Sequence, residues 1–209
     1  MKSQLLAAAA ASVASLTIGL AGSASGAGAQ PGAAPPAPDK TFHMVRSATA
    51  LAAHCLGRAD AIVKITKLAN AERMVIQASG LPRNTDFDVF INQVPNAPFG
   101  MSWYQGDLNT DATGSGTVTF IGRFSIETFS VAPGVAPAPV VHPADAASNP
   151  ATPPVHQYHV GMWFNSPTDA AAAGCPNNVT PFNGDHTAGV QAMSTRNFPD
   201  DAGPLRSVS

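Results

Sequence analysis

From Asp60 onward the chain alternates apolar and polar side chains with a period of two, the repeat that sends successive side chains to opposite faces of a strand. Ala61, Val63 and Ile65 fall on one such face. Met74, Ile76 and Ala78 then alternate with Arg73, Gln77 and Ser79, and Phe87, Val89 and Ile91 with Asp86, Asp88 and Asn92. Each run predicts a half-buried strand. Gly80-Leu81-Pro82-Arg83-Asn84 supplies turn chemistry between the last two, since glycine accepts positive φ, proline fixes φ and asparagine closes an Asx-turn. Met101 to Leu108 gives another strand. The turn Thr110-Asp111-Ala112-Thr113-Gly114-Ser115-Gly116 leads into Thr117 to Phe124, where Val118, Phe120 and Phe124 share a face. Ile126 to Val131 continues or folds back, and His156 to Phe164 sets Tyr158, Val160, Met162 and Phe164 on one side, for seven or eight strands in all.

Helical patterning is sparse. Ser166 before Pro167, then Thr168 to Ala173 and Gly174, predicts one short helix: a serine hydroxyl caps free N–H groups, proline fits the first turn and glycine the left-handed stop. The first 29 residues read as a secretory signal peptide, with Lys2 as the basic start, an apolar run from Leu5 to Leu20 and small residues Ala27-Gly28-Ala29 for cleavage before Gln30. The residue directly after that cleavage point is Gln30 and not cysteine, so lipid attachment there is not indicated. Residues 30–40 form a Pro/Ala-rich arm too poor in core-forming side chains to fold. Residues 41–209 then form a single domain, in which 132–154, with Asn149-Pro150 and Pro153-Pro154, is a long surface loop.

Charged side chains make up only 11% of the chain and the net charge is −2, so no basic footprint for nucleic acid or anionic lipid exists. After the leader no second apolar run reaches the roughly 20 residues of a membrane span. These features predict a secreted, extracellular protein. Export places Cys55 and Cys175 in an oxidising compartment, where a disulfide is the expectation; two free buried thiols or a redox pair are the alternatives, the latter without a Cys-x-x-Cys spacing.

The segment Ser79-Gly80-Leu81-Pro82-Arg83-Asn84-Thr85, the aromatic strand after it and the turn from Thr110 to Gly116 resemble small secreted β-sandwich modules of high-GC Gram-positive bacteria, most of them uncharacterised. The pattern covers about residues 59–124. Trp163-Phe164-Asn165-Ser166-Pro167 and Pro181-Phe182-Asn183-Gly184 look like features of one subgroup. The resemblance implies a mainly β fold, an immunoglobulin-like β-sandwich, and transfers no catalytic residue. Sandwich domains of the copper–zinc superoxide dismutase or chordin-repeat type share a similar turn, but they place His-x-His on the strand where this chain has Asp86-Phe87-Asp88-Val89-Phe90, so dismutase activity does not follow.

Three constellations carry candidate chemistry. Asp107, Asn109 and Asp111 place oxygen side chains at positions 1, 3 and 5 of a calcium loop, but Ala112 stands where the loop needs glycine and Val118 where it needs glutamate; a hairpin turn folded by the same side chains is the alternative. His156 and His159 could meet Asp185 and His186 in a zinc or copper site if the 181–189 loop folds over their strand, although two residues three apart on a regular strand face opposite ways. Buried, hydrogen-bonded histidines are the competing reading. Trp103, Tyr104 and Trp163, with Phe99, could form a binding platform or fill the core. No Gly-x-Ser-x-Gly elbow, paired catalytic carboxylates or phosphate loop is present, and Asp200-Asp201 sit in a tail expected to fray. The sequence therefore favours a non-enzymatic module that binds an extracellular protein or glycan, with a small metal-dependent enzyme or metal carrier as the alternative.

Overall fold

The computed structural model describes residues 38–131, 155–181 and 185–209. In chain order the elements are β1 (Lys40–Arg46), α1 (Ala48–Ala52), β2 (Asp60–Lys67), β3 (Glu72–Ser79), β4 (Asp86–Asn92), β5 (Ser102–Asn109), β6 (Gly116–Gly122), β7 (Phe129–Ser130), β8 (Val155–His156), β9 (His159–Phe164), α2 (Pro167–Ala172) and β10 (Gln191–Ser194), with a 3₁₀ turn at Pro204–Ser207. The expected leader, most of the arm and the 132–154 loop lie outside the described residues. β1 begins at Lys40, the last position assigned to the arm. No described helix is long and apolar enough to cross a membrane.

The protein is mainly β. Eight strands form one antiparallel sheet in the order β5-β4-β9-β10-β1-β2-β3-β6, and β7 and β8 pair separately. β1 joins the halves: Lys40 to Met44 pair with β2, while Val45 and Arg46 pair with β10. The sheet curls until its two edge strands approach each other, which makes it barrel-like. Inward faces supply one core, with Val63 and Ile65 of β2, Met74 and Ile76 of β3, Phe87 and Val89 of β4, and Met162 and Phe164 of β9 all inaccessible to solvent. The period-two reading of β2 and β3 thus matches the structure.

β4 departs from that reading. Asp88 and Asn92, expected on a solvated face, are 2% and 0% exposed. The cause is a second, smaller core on the outer side of β4 and β9, where Phe90, Trp163 and Ala188 pack with Phe99. Cover on both faces leaves every residue of β9 buried. The tail is also docked rather than frayed: Leu205 and Val208 are buried, Ile126 N–H donates to the Val208 carbonyl at 2.8 Å, and Leu205 N–H donates to the Tyr158 carbonyl at 3.1 Å.

The expected helix forms as α2, capped by the Ser166 hydroxyl, which accepts from Asp169 N–H at 3.1 Å. A second short helix, α1, was not expected. Ser47 caps it in the same way, accepting from Ala50 N–H at 3.0 Å. Both helices end alike, with Cys55 N–H donating to the Ala50 carbonyl and Cys175 N–H to the Ala170 carbonyl, the six-to-one closure of a helix stop. Each stop thus delivers a cysteine two residues beyond the helix cap, and Cys55 and Cys175 are joined in a disulfide.

This bond closes a loop across 120 positions. In the chain-entropy account such a loop stabilises the fold by about 4 to 5 kcal/mol. The double variant Cys55→Ala, Cys175→Ala is therefore expected to lose about that much unfolding free energy in a urea titration, and a loss below about 1 kcal/mol would contradict the account.

Candidate functional site

His159, the first residue of β9, lies opposite Asn92 of β4 on the outer face and has no solvent exposure. Its Nε2 lies 3.1 Å from the Asp200 carbonyl and its Nδ1 2.9 Å from Thr195 Oγ1. A carbonyl only accepts, so Nε2 carries the proton and Nδ1 accepts from the threonine hydroxyl. Both nitrogens of a neutral ring are thereby used. Burial holds the imidazole below its ordinary pKa, partly opposed by the Asp200 carbonyl and carboxylate.

The other members of the expected metal set stand elsewhere. His156, in β8, donates from Nδ1 to the Thr128 carbonyl at 3.2 Å and stacks on Tyr158 at 5.2 Å. His186 donates from Nδ1 to the Pro181 carbonyl at 3.2 Å, and Asp185 is exposed. The chain leaves strand geometry at Gln157 and Tyr158, which separates His156 from β9. Among the described residues no three His, Cys, Asp or Glu side chains converge as a metal site, so His156, His159, Asp185 and His186 do not form the centre anticipated from their spacing.

The calcium spacing resolves as a turn. Asp107 and Asn109 project from the exposed side of β5, and Asp107 accepts the Tyr104 hydroxyl at 2.6 Å. Asp111 spends one carboxylate oxygen on Thr113 N–H at 2.7 Å, the Thr113 hydroxyl at 2.6 Å and Ser115 N–H at 3.1 Å. Those donors lower its pKa. The same turn packs on the turn before β4, through Leu81 N–H to Gly114 O and Asn84 N–H to Asp111 O.

The aromatic platform is divided between two faces. Trp163 is wholly buried, edge-on to Phe90 at 5.3 Å and to Phe99 at 4.9 Å, and Tyr104 lies 5.6 Å from Phe90. Burial, the hydrogen bond to Asp107 and the charges of Asp107 and Asp88 raise the Tyr104 phenol pKa. Trp103 instead packs against the main core, its indole N–H donating to Gln105 Oε1 at 3.1 Å. Adjacent strand residues point oppositely, so Trp103 and Tyr104 cannot share one flat surface.

A groove that the pattern reading missed lies between the two sheet edges. It encloses about 480 Å³, with Trp103 and Gln105 of β5 on one side, Ile121 of β6 on the other, and Arg123, Glu127 and Phe129 closing its end. β5 and β6 have no ladder between them. The wall at 123–129 is held firmly: Glu72 accepts Phe124 N–H at 2.8 Å, and the Thr128 hydroxyl accepts Ser125 N–H while donating to the Arg123 carbonyl. Ile121 is 58% and Phe129 42% exposed, and Ile126 and Val131 in the same stretch are exposed too. Their outward positions were the available signal, but the groove itself arises from elements that meet only in the fold.

Compared with known proteins, the chain matches no family model, no curated protein and no solved structure.

His159 generates a pH prediction. Its pKa is lower folded than unfolded, so between the two values the unfolded chain binds more protons and stability rises with pH. Stability is therefore lost as pH falls below about 6.5, by at most about 1.4 kcal/mol per pH unit from this group. Urea titrations from pH 7.5 to 5 should show a shallower pH slope for His159→Gln than for wild type. An identical slope would contradict the assignment.

Proposed function

We propose that the protein is a secreted, non-enzymatic binding module that takes up an extended segment of a partner protein along the open seam between β5 and β6. The observation that carries this reading is the coincidence of two unladdered strand edges with an exposed apolar groove. An edge offers unpaired backbone donors and acceptors to an incoming strand, and side-chain pockets beside it add affinity and selectivity. Exposed apolar surface gathered in one place is a recognised mark of an interaction site. A protein partner suits the groove better than a glycan, because the tryptophans do not present the flat, adjacent faces that sugar rings stack on.

The secreted location rests on the expected leader and is supported by the Cys55–Cys175 bond, which suits an oxidising compartment. Kinship with the secreted β-sandwich modules is supported by the packing of the two turns that carry the resemblance. The same reading takes the curled sheet as an immunoglobulin-like sandwich whose faces share β1, consistent with the division of β1 between β2 and β10. Binding is favoured over catalysis because, among the described residues, the one imidazole paired with a hydroxyl, His159 with Thr195, is closed to any substrate.

Panning a displayed random-peptide library on the immobilised protein tests this function. Extended peptides with alternating apolar residues should be enriched, and the double variant Ile121→Asp, Phe129→Asp should bind them at least tenfold more weakly. Enrichment without such a pattern, or undiminished binding by the variant, would overturn the reading.

A further inference from the structure

A second cleft, of about 530 Å³, shares no residue with the seam groove. Its walls come from the turn that follows Cys55, the turn that follows β3, and α2. Arg58 and Arg83, both exposed, line it together with Asp169, Leu56, Leu81 and Pro82.

The arginines stand apart from most others in the chain. Arg46, Arg196 and Arg206 donate to main-chain carbonyls, and Arg123 pairs with Glu72 and Glu127. Arg58 and Arg83 make no side-chain hydrogen bond or ion pair among the described residues. Asp169 is partly committed, since its Oδ2 accepts the Ser166 hydroxyl at 2.7 Å.

The frame around these groups is fixed. Leu56 follows the disulfide cysteine directly and adopts a left-handed backbone, φ +56°, which a leucine rarely takes without support. The bond from Cys55 to Cys175 ties this turn to the end of α2, so two walls of the cleft are covalently linked. A guanidinium offers a planar fork that matches a carboxylate with two parallel N–H bonds. Two cationic residues and one acidic residue in the lining leave the cleft one negative charge short of balance. A carboxylate supplies that single charge, whereas a phosphate dianion would add repulsion against Asp169, and Pro82, Ala172 and Ala173, less buried than Leu56 and Leu81, offer apolar contact to a hydrocarbon body.

We propose that this cleft binds a monocarboxylate carrying an apolar body, held by Arg58 and Arg83. Such a group belongs both to a free organic acid and to the C-terminus of a polypeptide. The inference is independent of the seam: it concerns different residues and stands if peptide uptake between β5 and β6 fails.

Calorimetric titration of the disulfide-bonded protein tests it with four probes: hexanoate, an acetylated apolar tripeptide acid, the same tripeptide as its C-terminal amide, and inorganic phosphate. Saturable binding of hexanoate or the tripeptide acid is expected, with the amide and phosphate at least tenfold weaker. A tripeptide acid that binds more tightly than hexanoate identifies a polypeptide C-terminus as the source, and the reverse order or equal affinity identifies a free acid. The double variant Arg58→Gln, Arg83→Gln should weaken binding at least tenfold while keeping its urea midpoint, and Ile121→Asp, Phe129→Asp should leave it unchanged. Absence of carboxylate binding, equal binding of the amide, phosphate binding as tight as the acids, or indifference to the arginine substitutions would overturn the proposal.

Discussion

The ring of Phe120 lies over Gly106, and on that contact the form of the whole sheet turns. Gly106 has φ +144°, and a Cβ there would stand 2.6 Å from the Phe120 ring. The first and last strands of the sheet therefore meet through a side chain set against bare backbone. A ladder would need the strands at about 4.8 Å with their amides aligned, and none runs between β5 and β6. Curling brings the inward faces of β2, β3, β4 and β9 around one core, and the missing ladder leaves an edge on each side of the seam. An extra residue in β5, Gln105, falls between the pairs Val89–Gly106 and Phe90–Tyr104. It sets Trp103 toward the seam and Tyr104 toward the outer face, so the groove and the second core are parted by one bulge.

The outer face explains why so much polar chemistry in this chain is structural. Cover by Phe99, Ala188 and the docked tail removes water from β4 and β9. Several polar groups caught beneath bond to one another. Asn92 donates to the Ser102 hydroxyl at 2.8 Å, and His159 is held between Thr195 and the Asp200 carbonyl. A histidine so placed is a pin for the tail. The surfaces open to partners lie where no such cover forms, at the seam and at the disulfide-framed cleft.

Sequence patterning conveyed the elements well where one local rule acted alone. The alternation in β2 and β3 located their buried faces, Ser166 with Pro167 located α2, and the pair of cysteines located the disulfide. It failed where a distant element decided the outcome. Asp88 and Asn92 read as solvated because nothing nearby in the chain announces that Phe99 and Ala188 cover them. α1 escaped notice because its left-handed stop is His54, φ 54°, where glycine is the usual signal. β10 is four residues long and gave no pattern to read. The candidate sites fared worse for a related reason: spacing along the chain placed Trp103 beside Tyr104 and His156 near His159, whereas strand alternation and the break at Gln157 set them apart. The groove and the arginine cleft each join segments from well-separated stretches, so neither has a contiguous motif.

The open seam is the central claim, and amide hydrogen exchange read residue by residue along β5 and β6 tests it most directly. In an antiparallel strand alternate N–H groups point to opposite neighbours. Over residues 102–104, before the Gln105 bulge, and 118–122, every second amide, the one facing the seam, should exchange as readily as surface amides, while its neighbours bonded to β4 or β3 exchange orders of magnitude more slowly. Uniform strong protection along both strands would mean that the sheet is closed by a ladder, and would contradict the account.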